Sequence, residues 1–341
     1  MSIPENLTTM SLHATSPNGD LPGHPRSDPA VSSNAEPQRV PSCQEISAAL
    51  ALHWGLPGVE VTPLMGGMNS ATWNVRLGDT RWVAKAVPRG EPEGQFHYGL
   101  GLSVQVEEAG MWAGAPVPSS AGHLATPVGD HALALLRWVA GRELQGHSDS
   151  DTVLMGATLA RVHGVLGMEP VTPGEAWSQF DLLADSPDDA ALNLRPWIRP
   201  AIEAVTARLR RLRPETLTWG PVHGDPAPEH FRFDPSTGNC GLIDWGAASF
   251  KPRMYDVATA VRDAQGPDRA QLLLRAYLDQ DALPRAEIER ALTPILDFRY
   301  TINTLYYAGR ILHGDITGVD TPAGNEERLE EARQRLTRPP R

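Results

Sequence analysis

The stretch "WGPVHGDPAPEHFRFD", residues 219–234, decides how the rest of the chain is interpreted. An apolar approach leads into His223-Gly224-Asp225, and two prolines then stiffen the loop that follows. In such a loop Asp225 can either cap a turn or act as a chemically active carboxylate. His230 comes five residues after Asp225, so the same loop also carries an imidazole whose role has to be explained.

A second carboxylate, Asp244, follows the apolar run in "CGLIDWG", residues 240–246. A carboxylate at the end of a buried strand is costly unless it is paired or bound to a metal ion. The turn "PSTG" predicts a hairpin that can place Asp225 and Asp244 on one side of a cleft. One acid could then deprotonate a hydroxyl while the other holds Mg²⁺. By contrast, Asp256 in "PRMYDVATAV" is interpreted as a helix N-cap.

Lysine is rare in this chain, which has only Lys85 and Lys251 among its 30 basic residues. Lys85 lies in the apolar strand "RWVAKAV", residues 81–87. A strand lysine can simply reach solvent, but in a chain that otherwise uses arginine it indicates a phosphate partner. Gly66 and Gly67 lie between two upstream strands, where backbone amides could approach phosphate.

The order of patterns along the chain predicts three parts. Residues 1–44 are rich in proline, serine and asparagine, which is typical of a disordered tail. Residues 45–138 open with a short helix predicted near "CQEISAALALHWG", residues 43–55, and then alternate strand patterns with a second helix, predicted over "SVQVEEAGMWAG", residues 103–114. From residue 139 to 341 helical patterns dominate. This order predicts an α+β fold in which a small antiparallel-sheet lobe precedes a mainly helical lobe.

Composition excludes several classes of protein. The formal net charge of −11 argues against a nucleic-acid partner, which requires a basic surface. Two cysteines without a CxxC pattern indicate neither a disulfide framework nor a zinc site. The start of the chain lacks a signal-peptide pattern, and no apolar run is long enough for a bilayer. We therefore expect a cytoplasmic protein without a membrane partner.

The motifs together resemble the aminoglycoside phosphotransferase and choline kinase-like family. The resemblance rests on "HGD", "LIDWG", "PRMYDVA", the strand with Lys85 and a "PVP" after a helix, and it covers about residues 56–313. It implies a two-lobed protein-kinase-like fold with ATP and Mg²⁺ bound between the lobes. It also implies phosphoryl transfer to a hydroxyl group.

The resemblance assigns a role to each matching position. Asp225 would be the catalytic aspartate and Asp244 the metal-binding aspartate. Lys85 would hold the α- and β-phosphates under the loop with Gly66 and Gly67. An acid of "VEEAG" would form an ion pair with Lys85, and Glu107 is preferred over Glu108 for this role. Adenine would contact the backbone at Arg137, Trp138 and Val139.

His230 departs from the family pattern, in which an asparagine at this position completes the metal site. Mg²⁺ prefers oxygen ligands, whereas imidazole suits softer metals. Three consequences are open at this point. His230 could leave a second metal weakly held, bind Mn²⁺ comparably well, or only form a hydrogen bond with Asp225.

Three functions fit these motifs. The first is a small-molecule phosphotransferase, acting on an antibiotic or another metabolite. The second is a kinase for serine or threonine in a peptide, acting in the processing of a ribosomally made peptide. The third is a nucleotide-binding pseudokinase, which the presence of Lys85, Asp225 and Asp244 together disfavours, because a protein without catalytic activity would not need all three.

Four acids in the helical half would suit an acceptor that carries an amino group, although acids on solvent-exposed helices and loops are equally common. They are Asp263, Asp315, Asp320 and Glu326.

Overall fold

The lysine strand lies in the middle of an antiparallel sheet. The computed structural model describes residues 39–64, 70–183, 189–316 and 321–338. Its sheet has the strand order β1-β2-β3-β5-β4. The strands are β1 (Glu60–Leu64), β2 (Ala71–Leu77), β3 (Thr80–Pro88), β4 (Thr126–Val128) and β5 (His131–Arg137). Lys85 of β3 is paired with Thr72 on one side and with Ala134 on the other.

The two faces of this sheet carry different helices. Helix α1 (Cys43–Trp54) begins at a capping box formed by Ser42 and Glu45, and it covers the face that contains Ala84 and Ala86. Helix α2 (Glu91–Glu108) covers the opposite face. Because side chains alternate along a strand, Lys85 points toward α2. Most of the predicted tail, residues 1–38, lies outside the described residues.

Helix α2 is longer at its start than the sequence predicted, and shorter at its end. It begins at Glu91 rather than residue 103 and ends at Glu108 rather than residue 114. Glycines at 94, 99 and 101 interrupt the apolar period in its first half, although Phe96 and Leu100 are buried there. Gly110 has a φ of 83°, a left-handed conformation that takes the chain out of the helix.

The second half of the chain is helical and contains the largest hydrophobic core, in which Met155, Leu159 and Phe298 are almost completely buried. None of the helices in the described ranges has an apolar stretch suited to crossing a membrane. The α-helices that the described residues form in this half are α3 (Asp149–Leu166), α4 (Pro173–Ser178), α5 (Asp189–Asn193), α6 (Ile198–Leu212), α7 (Met254–Asp263), α8 (Gln271–Leu278), α9 (Arg285–His313) and α10 (Pro322–Leu336).

Two small sheets are inserted among these helices and carry the motifs. One sheet has the order β6-β8-β9 and the other pairs β10 with β7. Their strands are β6 (Arg142–Glu143), β7 (Trp219–Val222), β8 (Phe231–Asp234), β9 (Asn239–Leu242) and β10 (Ser249–Pro252). The predicted hairpin is confirmed as β8 paired with β9. Asp225 follows β7 and Asp244 follows β9, so the inserted strands bring both loops together.

The architecture confirms the predicted α+β class. The sheet-rich part ends with β5 at Arg137, next to the predicted boundary between residues 138 and 139. That boundary itself stays a prediction.

Candidate active site

Lys85 and Asp244 form an ion pair between the sheet and the inserted hairpin. The Lys85 Nζ lies 2.5 Å from Asp244 Oδ1, and Lys85 is only 6% exposed. Burial by itself would raise the pKa of the Asp244 carboxyl, but the Lys85 ammonium outweighs it and holds that pKa below its usual range. The site therefore keeps a charged carboxylate beside a buried cation.

Glu107 does not pair with Lys85, so that prediction is wrong. Its Oε1 accepts a hydrogen bond from the Ala115 backbone N–H at 2.9 Å, and its Oε2 accepts one from Arg137 Nη1 at 3.0 Å. The reason is its place in the last turn of α2, which lies near the end of β5 rather than near the middle of the sheet. Glu107 instead holds the side chain of Arg137, the first of the predicted adenine contacts, and the backbone of Ala115 beside it.

Helix α2 contacts the loop of Asp244 through its backbone. A Cβ added at Gly99 would lie 2.1 Å from the carbonyl oxygen of Trp245, so only glycine permits this approach. Phe96, Leu100 and Ser103 of α2 line a small cavity together with Lys85 and Asp244. Among the described side chains of α2, no acid contacts Lys85. Close backbone packing therefore holds α2 against the site in place of an ion pair.

Asp256 anchors the loop that carries Asp225. Its carboxylate accepts hydrogen bonds from the backbone N–H groups of His223 at 2.7 Å and Gly224 at 2.8 Å. Asp256 lies within the first turn of α7, and its carboxylate binds the loop of His223 and Gly224 rather than the N-terminus of α7. Its interpretation as the N-cap of its own helix is therefore wrong. Burial would raise the pKa of Asp256, but hydrogen bonds from His163 and the loop outweigh this and lower it.

A buried chain of hydrogen bonds continues from Asp256 into the helical core. His163 Nε2 lies 3.1 Å from Asp256 Oδ2, and His163 Nδ1 lies 2.7 Å from the Tyr277 hydroxyl. A carboxylate only accepts, so Nε2 carries the proton and Nδ1 accepts from Tyr277. Burial lowers the pKa of His163 and raises that of Tyr277. The sequence analysis missed both residues, although a single histidine within the apolar pattern of α3 was a usable signal.

The loops of Asp225 and Asp244 touch at Gly224. This residue has a φ of 87°, and a Cβ added to it would lie 1.9 Å from the Ala247 carbonyl oxygen. In addition, the His223 Nε2 donates a hydrogen bond across the two loops to the Ile243 carbonyl at 2.9 Å. The glycine and the histidine of the "HGD" motif therefore hold the two carboxylate loops together.

His230 lies between the two aspartates. Its Nδ1 donates a hydrogen bond to the backbone carbonyl oxygen of Asp225 at 2.7 Å, while the three predicted consequences for the metal site stay predictions. The same nitrogen is 3.9 Å from Asp225 Oδ2, and Nε2 is 3.9 Å from Asp244 Oδ2. The His230 side chain is 19% exposed, whereas the side chains of Asp225 and Asp244 are 40% and 42% exposed. Both carboxylates therefore face the cleft.

The guanidinium of Arg262, which was not predicted from the sequence, lies close to the carboxylate of Asp225. Arg262 Nη2 is 4.0 Å from Asp225 Oδ1, and the same guanidinium binds both oxygens of Asp263 at 2.7 and 2.9 Å. Two other acids proposed for the acceptor region are also paired: Asp315 with Arg310 at 3.1 Å, and Glu326 with Arg195 at 2.8 Å. Asp320 lies outside the described residues.

The predicted nucleotide contacts are only partly covered by the structure. Gly66 and Gly67 lie outside the described residues. The Arg137 N–H donates to the Ala115 carbonyl at 3.0 Å, and Trp138 is 39% exposed with the Arg81 guanidinium 4.0 Å from its ring centroid. Val139 follows in the segment that leads from β5 to the helical half. An adenine contact at Arg137, Trp138 and Val139 stays a prediction.

The donor set fits a metal–nucleotide complex rather than a metal ion alone. Within the described ranges, no group of three or more His, Cys, Asp and Glu residues could hold an ion by itself. Mg²⁺ in phosphoryl-transfer sites is bound by one or two carboxylates together with phosphate oxygens and water. Asp244, with His230 beside it, would supply protein ligands of that number. Lys85 would supply the cation for the phosphates.

Comparison with known proteins identifies the class. The chain belongs to the phosphotransferase enzyme family, whose sequence model matches residues 60–289. The protein is therefore a phosphotransferase. A homoserine kinase of Caulobacter vibrioides is 23% identical to it over 242 residues, which cover 67% of this chain and 75% of that protein.

Solved structures with this fold confirm the protein-kinase-like architecture. A microcompartment-associated aminopropanol kinase matches with a TM-score of 0.68 at 16% identity, covering 86% of this chain and 95% of the other. A spectinomycin phosphotransferase solved with ADP and spectinomycin gives a TM-score of 0.59 at 12% identity, covering 87% and 98%. A choline kinase from Streptococcus pneumoniae gives 0.58 at 15% identity, covering 86% and 98%.

Proposed function

We propose that the protein transfers the γ-phosphoryl group of ATP to a hydroxyl group of a small molecule. The observation that carries this proposal is the convergence of Lys85, Asp225 and Asp244 at one cleft, with Lys85 Nζ 2.5 Å from Asp244 Oδ1. The similar proteins are named as kinases for homoserine, aminopropanol and choline and as a phosphotransferase for spectinomycin, and the last was solved with ADP. These names support a nucleotide as the donor and a small alcohol as the acceptor.

Each residue has a separate task in this reaction. Asp225 accepts the hydrogen bond of the acceptor hydroxyl and takes its proton as the hydroxyl oxygen bonds to the γ-phosphorus and the bond from that phosphorus to the bridging oxygen of the departing ADP breaks. Lys85 contacts the phosphates of the bound nucleotide, and Asp244 holds the cation. Bound Mg²⁺ supplies charge neutralisation at the phosphate oxygens. Because Lys85 Nζ lies 2.5 Å from Asp244 Oδ1, the residues that would hold the phosphates and the cation stand next to each other in the cleft.

Asp256 contributes by keeping Asp225 in place. Phosphoryl transfer depends mainly on positioning and electrostatic stabilisation. The Asp256 carboxylate holds two consecutive backbone N–H groups of the "HGD" loop, and the Arg262 guanidinium stands 4.0 Å from Asp225 Oδ1. These contacts orient the carboxylate before the acceptor binds.

The charges around the acceptor region favour an acceptor with few positive charges. Asp263, Asp315 and Glu326 would attract a polycation only if their charges were available, and each is paired with an arginine. A region whose acids are already paired with arginines suits a small, neutral or singly charged alcohol better than an aminoglycoside with several ammonium groups.

The test is an acceptor screen with direct detection of the product. Wild-type protein is incubated with ATP and Mg²⁺ or Mn²⁺ and with amino alcohols, hydroxy amino acids, aminoglycosides or serine- and threonine-containing peptides. ³¹P NMR then measures the phosphomonoester. We expect product with at least one small alcohol. Product with peptides alone would show a peptide kinase, and nucleotide binding without any product would favour the pseudokinase.

A further inference from the structure

The proton of the His230 imidazole is placed by its backbone partner. The Asp225 carbonyl oxygen can only accept, so His230 Nδ1, at 2.7 Å, carries the hydrogen of this bond. In the neutral ring the lone pair then belongs to Nε2. The backbone of His230 is fixed as well, because its N–H donates to Ala227 at 2.9 Å and its carbonyl accepts from Ile243 at 2.9 Å. The ring therefore has one orientation and one available lone pair.

That lone pair belongs to the nitrogen nearest Asp244. His230 Nε2 lies 3.9 Å from Asp244 Oδ2, which is too long for a hydrogen bond. Imidazole nitrogens and carboxylate oxygens bind divalent ions at about 2.0–2.2 Å, so two ligands of one ion stand about 3–4 Å apart. The gap between Nε2 and Oδ2 thus matches the span of one ion. Lys85 contacts the other oxygen, Oδ1, and leaves this gap open.

We infer that His230 Nε2 is a nitrogen ligand of the cation held by Asp244, and that the site prefers first-row transition ions over Mg²⁺. This inference rests on the proposed function, because the nucleotide phosphates complete the coordination. Mg²⁺ requires near-ideal octahedral oxygen coordination, so a nitrogen ligand disfavours it. Imidazole is a good ligand for the transition ions, and their affinities rise from Mn²⁺ to Co²⁺. The residue at 230 therefore sets which metal the enzyme uses.

The direct test is pulsed EPR on wild-type protein with Mn²⁺ and a non-hydrolysable ATP analogue. Electron spin-echo modulation should show the coupling of one coordinated imidazole nitrogen, and labelling of histidine with ¹⁵N should convert that signal to the ¹⁵N pattern. No substitution is involved, so misfolding cannot affect the result. A bound Mn²⁺–nucleotide complex without imidazole coupling would overturn the inference.

Substitution gives the matching test of selectivity. His230→Asn should remove the nitrogen coupling and shift the ratio of Mn²⁺ to Mg²⁺ affinity toward Mg²⁺ by at least about tenfold. The shift should be larger for Co²⁺ than for Mn²⁺. His97→Gln, at an exposed histidine of α2, serves as the control and should leave coupling and ratio unchanged. An unchanged ratio in a folded His230→Asn protein would overturn the inference.

The two proposals fail in different ways. Imidazole coupling in a protein that phosphorylates no hydroxyl acceptor would support the metal ligand and contradict the proposed function. Phosphoryl transfer by a protein whose Mn²⁺ signal lacks imidazole coupling would support the proposed function and contradict the role of His230 as a metal ligand.

Discussion

The ammonium nitrogen of Lys85 lies 2.5 Å from Oδ1 of Asp244, and this contact joins the middle of the N-terminal sheet to the hairpin of the helical half. Each residue of this ion pair satisfies the charge of the other. Phosphates and a cation can replace both partners at once, because each brings the opposite charge to one member of the pair. Nucleotide and metal should therefore bind cooperatively.

Lys85→Met should weaken binding of ATP with Mg²⁺ without unfolding the protein. A hydrogen bond to a charged group contributes about 1.5–3 kcal/mol, so the Kd should rise roughly ten- to hundredfold. Thermal shift at increasing ATP concentration measures this change. Lys85→Arg is the control, since it keeps the charge and should lose less affinity. Equal ATP-dependent shifts in wild type and Lys85→Met would show that Lys85 does not contact the phosphates.

Asp256→Ala should destabilise the protein strongly, because the side chain is fully buried and has three hydrogen-bonding partners. Loss of one member of a buried charged network typically costs about 3–5 kcal/mol. Urea unfolding measures the free energy. Tyr277→Phe removes only the hydroxyl group at the far end of this chain of hydrogen bonds, and it should lower the free energy of unfolding by about 1–3 kcal/mol. Equal stabilities of wild type and Asp256→Ala would contradict the anchoring role.

Stability should fall as the pH drops below about 6.5, the ordinary pKa of histidine. Burial lowers the pKa of His163 and His223 in the folded state, so the unfolded chain binds protons more readily there. The free energy of unfolding therefore decreases toward acid, by at most about 1.4 kcal/mol per pH unit for each histidine.

Urea unfolding at pH 7.5 and 5.5 checks this pH dependence. His163→Gln should reduce the difference between the two values, whereas His97→Gln at an exposed position should not change it. A free energy of unfolding that is constant between these pH values would contradict two buried neutral imidazoles.

Gly99→Ala should disturb the contact between α2 and the loop of Asp244. Its added Cβ would meet the Trp245 carbonyl oxygen at 2.1 Å, and overpacking of this kind costs about 1–3 kcal/mol. Gly101→Ala lies in the same helix with nothing within 4 Å, so it should stabilise the protein by about 0.5–1 kcal/mol. Thermal unfolding of both variants measures the contrast. Equal melting temperatures would contradict the close packing.

The sequence predicted those parts of the site whose pattern is local. Asp225, Asp244 and Lys85 each stand in a short motif, and hairpin geometry follows from the turn between two strands. Glu107 was assigned to Lys85 wrongly, because the partner of a helical acid depends on where the helix crosses the sheet.

Other features of the site depend on contacts between residues that are far apart in the sequence, and the local sequence pattern indicates them only weakly. Gly99 looks like a helix breaker in the sequence, yet the structure uses it for a backbone contact with Trp245. Asp256 looks like a cap, yet its partners come from a loop 32 and 33 residues away. His163 was recognisable as a buried histidine, but its connection to Asp256 was not.

Asp225 is proposed to act in the chemical step, whereas Lys85 and Asp244 are proposed to bind the nucleotide and the cation. A comparison of turnover and ATP affinity tests this division most directly. Wild type and Asp225→Asn are compared for phosphomonoester formation on the best acceptor and for ATP affinity under the same conditions. General-base catalysis contributes about 10²–10⁴-fold, so turnover should fall by that factor while ATP affinity stays the same. Full turnover by Asp225→Asn would contradict the account.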